Sequence, residues 1–162
     1  MIYRVAGNHF TLCFISLVIL LGAAGIMTQQ VQFLADNMGM NFIPTEVALE
    51  ENIAILIAAF GVFLEHRIYL LRKIYPDTIP ESVAEFDQYS HNVGVMFIML
   101  AILMEATDLF FLALNSWGFA MSSLKYLEIS ILFSINVLSA GMFVIFAVRS
   151  FKEKVLRRVL RP

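Results

Sequence analysis

The sequence predicts an all-α, integral membrane four-helix bundle, up-down-up-down, with both termini cytoplasmic. Three observations predict it. Hydrophobic residues make up 60% of the 162 and the mean hydropathy is +0.80, well above the roughly 45–50% of soluble domains. Four apolar stretches, at about 10–30, 47–71, 92–116 and 125–148, approach or exceed the ~20 residues that carry a helix across a ~30 Å hydrocarbon layer. The basic residues gather at the two ends and in the second connection, which the positive-inside rule assigns to the cytoplasm. The whole chain, 1–162, reads as a single transmembrane domain with a basic tail at 149–162.

The first stretch follows Arg4 and runs from about Phe10 to Met27, its helical spacing continuing through Gln29, Gln32 and Asp36. Gly22-Ala23-Ala24 resembles a signal-peptidase site, but the apolar run continues past it, so a retained helix is the reading. Gly22, Gly25, Gln29, Gln32 and Asp36 alternate by three and four and share one face.

Asn41 to Pro44 forms a turn, and Thr45 caps a second helix that reaches about Ile74. Its stripe of Glu50, Ala54, Ala58, Gly61 and Glu65 reads first as a packing seam, because small residues let helices approach closely in lipid. Tyr69, Arg72, Lys73 and Tyr75 mark an interface, and Pro76 ends the helix. Thr78-Ile79-Pro80-Glu81 has the form of a capping box, so a third helix starts outside the bilayer and runs into the apolar stretch Val93–Trp117.

That third helix carries the strongest clue. Glu105 lies near the middle of the stretch and Asp108 one turn on. A charged group there costs about 2.5–3.5 kcal/mol on insertion scales, so it is expected to face a bundle interior or a wet cavity. Asp87, His91, Gly94, Ile98, Ala101, Glu105 and Asp108 follow one another by three or four along one line. Trp117 and Phe119 anchor an outer turn, Ser122 or Ser123 caps the fourth helix, and Ser130, Ser134 and Gly141 make a small face opposite Glu128 and Ser139.

On this topology Gln29, Gln32, Glu50, Glu51, Asp108, Asn115 and Glu128 collect in the outer half as a wet acidic vestibule, with Glu105 beneath it. Asp87 and His91 meet Glu65 and His66 at the cytoplasmic end. The candidate proton- or cation-binding groups are therefore Glu105, Asp108, Glu50, Glu51, Glu128 and His91. The metal or haem candidates are His66, His91, Glu65 and Asp87, a weak set, since no Glu-x-x-His pair of the carboxylate-bridged kind occurs. No cofactor is expected.

Three uses compete. The first is a non-catalytic subunit or adaptor, whose intramembrane carboxylates pair with a partner helix in a homo-oligomer or larger complex. The second is proton or cation transport, with Glu105 and Asp108 sharing a proton and His91 passing it inward. The third is a haem- or metal-binding oxidoreductase subunit. A structural role for Glu105 and Asp108, hydrogen-bonded to Ser139, Asn136 or Gln32, stands beside all three. The single Cys13 excludes a disulfide or CxxC pair within the chain. Nucleic acid is not expected, because the basic run Arg149, Lys152, Lys154, Arg157, Arg158 and Arg161 lies beside a membrane helix and suits anionic lipid headgroups in a cell (inner) membrane.

Overall fold

The structure, a computed structural model, describes residues 8–36, 45–74, 81–119 and 121–159; at 36, 45–52, 74, 81–82, 121–123 and 153–159 only the backbone is described. Five helices follow one another: α1 (His9–Asp36), α2 (Thr45–Glu65), α3 (Arg67–Ile74), α4 (Glu81–Ser116) and α5 (Met121–Val159), with no strand among the described residues. Three of them contain segments long and apolar enough to cross a membrane, His9–Ala35, Val83–Ser116 and Leu124–Lys152. This marks a membrane-embedded protein. The bent pair Ile53–Glu65 and Arg67–Lys73 makes a fourth if it counts as one span.

The long helices α1, α2, α4 and α5 run antiparallel to their neighbours, and the side chains fix the registers. α2 lies along α4, with Gly61 against Gly94 and Arg67 against Asp87. α5 lies along α4 through the stacked rings of Phe97 and Phe143, 4.1 Å between centroids. α1 lies along α5 through Gln30 and Asn136. The α2–α4 and α1–α5 pairs are the closely packed ones, and the α1–α2 seam is thin.

Each buried face follows a seven-residue rhythm. On α1 it is Leu12, Ser16, Ile19, Ala23, Ile26 and Gln30, and on α5 Ile129, Leu132, Asn136, Ser139, Phe143, Phe146 and Ser150. Alternating steps of three and four keep one seam facing a neighbour as in coiled coils, and transmembrane bundles mostly share that crossing geometry. Lipid supplies no hydrophobic push between helices, so cohesion comes from close packing and buried polar contacts. Toward one end the core is aromatic: Phe60, Phe97, Phe143 and Phe146 pack together, and Phe86 and Tyr89 extend the group.

Local chemistry sets the ends. Asn8 caps α1, its Oδ1 accepting from the Phe10 amide at 3.1 Å. α4 closes on Gly118 at φ 83°; the Gly118 amide donates to Asn115 and the Phe119 amide to Leu114, the paired bonds of a Schellman turn. α5 starts at Met121 and continues unbroken into the basic tail as far as Val159.

One expected element changes. The second helix, read as continuous to Ile74, breaks at His66 and bends by 43°. No proline lies there; the bend accompanies the turning of Arg67 into the protein, where it is 1% exposed beside Asp87 and Phe86. The turn before Thr45 and the capping box at Thr78 lie outside the described residues.

Candidate functional site

Glu105 sits where α2 and α4 diverge. At Gly61 and Gly94 the two backbones touch: a Cβ built on either glycine would lie 2.7 Å from the other's carbonyl oxygen. Toward the Trp117 end the seam opens into a lateral groove of about 460 Å³ lined by Ala54, Ala58, Ala101 and Ala106, with Ile55, Ile102 and Leu109 at its edges. Alanines leave the space, and among the described residues Glu105 is the one ionisable group lining it. The carboxylate is half-buried and has no partner among the described residues. The α2–α4 register brings position 50 opposite position 105; the side chains of Glu50 and Glu51 lie outside the described residues. Chemically, the groove offers a hydrogen-bond acceptor or anion sideways, toward whatever lies against the α2–α4 face.

The remaining acidic candidates do not join it in one vestibule. Asp108 is half-buried and engaged with a neighbouring group. Glu128 pairs with Lys125 at 3.0 Å, one helical turn earlier on α5. Gln29 and Gln32, expected inside, are exposed on the outer side of α1, and Asn115 is exposed. The rotation of α1 explains this, since its inward stripe is the heptad ending in Gln30.

Gln30 belongs to a polar group that the sequence reading missed. The Asn136 amide donates to Gln30 Oε1 at 3.3 Å across the α1–α5 seam. Asn136 Oδ1 and the Ser139 hydroxyl, one turn on, are fully buried and meet no hydrogen-bond partner among the described residues. Asn136 therefore does not serve Glu105, which lies on the α2 side of α4. The seven-residue series Ile129, Asn136, Phe143, Ser150 was the signal that pointed Asn136 inward.

At the opposite end the expected His/carboxylate group divides in two. Glu65 and His66 pair with each other at 2.7 Å on the surface. Asp87 is buried against Arg67 at 3.3 Å, and the Arg67 guanidinium lies 5.1 Å from the Phe86 ring centroid, with His9 edge-on to the same ring. His91, one turn from Asp87 on α4, is half-buried. Arg67, read from sequence only as a basic flank, is among the largest fully buried side chains. Among the described residues no three His, Cys, Asp or Glu side chains converge as a metal site would need.

Of the basic run, Arg149 stacks on Tyr89 at 4.0 Å and Lys152 is exposed. The side chains of Lys154, Arg157, Arg158 and Arg161 lie outside the described residues. Comparisons with protein-family models, with curated proteins and with solved structures returned no match, so functional inference rests on the geometry alone.

Proposed function

We propose that this chain is a non-catalytic subunit or adaptor of a membrane complex, built as a four-span up-down-up-down bundle with both termini cytoplasmic, in a cell membrane. The observation that carries this reading is the half-buried Glu105 carboxylate in the wall of an outward-opening groove of alanines. Left against hydrocarbon, such a group costs a few kcal/mol. A helix laid in the groove satisfies it, and the alanines permit the close backbone approach that holds helices together in lipid.

Transport draws less support from the same arrangement. A proton or cation route needs polar groups in line across the protein. Between the level of Glu105 and the buried Arg67–Asp87 pair, the core is filled by the rings of Phe60, Phe97, Phe143 and Phe146.

The test is the mass of the protein in mild detergent and in bilayer nanodiscs. An assembly heavier than the 18.3 kDa chain, reduced to single chains by Glu105→Leu, is the expected result. A wild-type protein that is monomeric in both media overturns the reading. Proteoliposomes are expected to show no proton uptake that depends on Glu105; uptake abolished by Glu105→Gln would favour transport instead.

A further inference from the structure

We infer that the occupant of the α2–α4 groove is the outer face of α1 from a second copy of this chain, with Gln29 and Gln32 donating to Glu105. This rests on the subunit reading above and names its partner. The α1 face is unpartnered: Gly25, Gln29 and Gln32 are exposed, a Cβ at Gly25 would meet nothing within 4 Å, and neither amide has a partner among the described residues. It is narrow where the glycine lies and rich in donors beyond it, which suits a groove of alanines with a carboxylate.

Depth decides the match. Phe97 of α4 and Phe143 of α5 stack on one another. Counting toward the Trp117 end, Glu105 stands about 12 Å from that level and Asn136 about 10.5 Å, at 1.5 Å per residue. Asn136 bonds Gln30, so Gln29 and Gln32 flank the level of Glu105. Copies inserted in the same orientation hold the amide donors and the carboxylate at one height in the membrane.

Other pairings between copies leave a group unmet. Groove against groove sets carboxylate against carboxylate with no donor. α1 against α1 pairs amides and leaves Glu105 facing lipid. Among the described residues no cation serves instead, because Lys125, the closest of them in height, stands about ten residues away along α5, ~15 Å, and is bound to Glu128. The contact is heterologous, so it builds a ring when its rotation closes.

Disulfide trapping tests it on the full chain in membranes, in a Cys13→Ala background. Gly25→Cys and Ile102→Cys place thiols on the α1 face and the groove edge. No α1 Cα lies within 8 Å of an α4 Cα among the described residues, beyond the ~7 Å limit for a disulfide, so any bridge between these positions links two molecules. Oxidation of the double variant is expected to give a ladder of dimers and higher species, which neither single variant gives. Glu105→Leu, or Gln29→Leu with Gln32→Leu on the other surface, is expected to lower its yield about tenfold, as loss of a hydrogen bond to a charged group would. A dimer from Ile102→Cys alone marks groove-to-groove pairing and overturns the inference. A ladder unchanged by both sets of leucine variants overturns the assigned hydrogen bonds and with them the inference. No ladder, with Ile102→Cys bridging to a different protein of the host membrane, overturns the inference and leaves the subunit reading standing. No ladder from a chain that is monomeric in nanodiscs overturns both.

Discussion

Gly61 and Gly94 fix how closely α2 and α4 approach. A methyl group on either would fall 2.7 Å from a carbonyl oxygen of the facing helix, and at Gly94 also 2.9 Å from the Glu65 amide nitrogen. Backbone cannot swing aside as a side chain can, so the helices must part. Gly61→Ala and Gly94→Ala are each expected to cost about 1–3 kcal/mol, as overpacking does, read as a lower unfolding midpoint in detergent. Gly141→Ala is the control: nothing lies within 4 Å of a Cβ there, and alanine is the better helix former by about 0.8–1 kcal/mol, so its midpoint rises or stays level.

The Arg67–Asp87 pair makes the second residue-scale prediction. Both side chains are buried, 1% and 7% exposed. Removing one leaves an uncompensated buried charge, which typically costs about 3–5 kcal/mol, whereas replacing both with apolar groups is often neutral. Arg67→Met alone is therefore expected to destabilise strongly, and Arg67→Met with Asp87→Leu to recover most of the loss. A double variant as unstable as the single one would show that Arg67 acts through its contact with the Phe86 ring rather than through the ion pair.

Among the elements, α1 and α5 are joined by a polar clasp within an apolar seam. The Asn136 amide donates to Gln30 while its own oxygen and the Ser139 hydroxyl meet no partner among the described residues. Interhelical hydrogen bonds in membranes are worth about 0.6 kcal/mol on average and up to about 1.7. Gln30→Leu alone is expected to cost near the upper figure because it leaves the Asn136 amide unmet as well. The double variant Gln30→Leu/Asn136→Leu is expected to be at least as stable as the natural chain, measured as a double-mutant cycle of steric-trap or denaturant unfolding.

These elements also show how far the sequence could be read. Length and hydropathy sufficed for α1, α4 and α5 because a span declares itself by composition. The small-residue seam of α2 was legible for the same kind of reason, since Gly61 and its alanines fall at helical spacing. Rotation was not so readable. Polarity was taken as the mark of an inward face, which turned Gln29 and Gln32 inside; the structure buries the heptad of Leu12, Ile19 and Ile26 instead. In a span whose neighbours are unknown, an outward polar stripe and an inward one have the same sequence pattern. The break at His66 was hidden too, because it accompanies a contact of Arg67 with Asp87, residues twenty apart in the chain, and no local breaker announces it.

For the molecule as a whole, the open choice is whether α2 and α3 cross the membrane or turn back within it. If they cross, the chain has four spans and its ends share a side; if they re-enter, it has three and its ends are on opposite sides. α2 alone has 21 residues, ~32 Å at 1.5 Å each, and runs antiparallel along α4 from beyond the Glu105 level to about Ser90, one turn short of Asp87. That length is enough for a full crossing, and the four-span reading then expects the bend at His66 at the membrane surface; Arg72 and Lys73, just beyond it, are exposed. Arg149 and Lys152 reach the same end on α5, while the Trp117 end has only Lys125 among the described cations. Basic residues keep to the cytoplasm, so the Arg67 end is expected inside. Green fluorescent protein fused at either end should fluoresce, and alkaline phosphatase should be inactive at either end and active when inserted after Gly118. Fluorescence at one terminus with phosphatase activity at the other would make the bent pair a re-entrant hairpin. The antiparallel contact of Gly61 with Gly94 would then end inside the bilayer rather than continue across it.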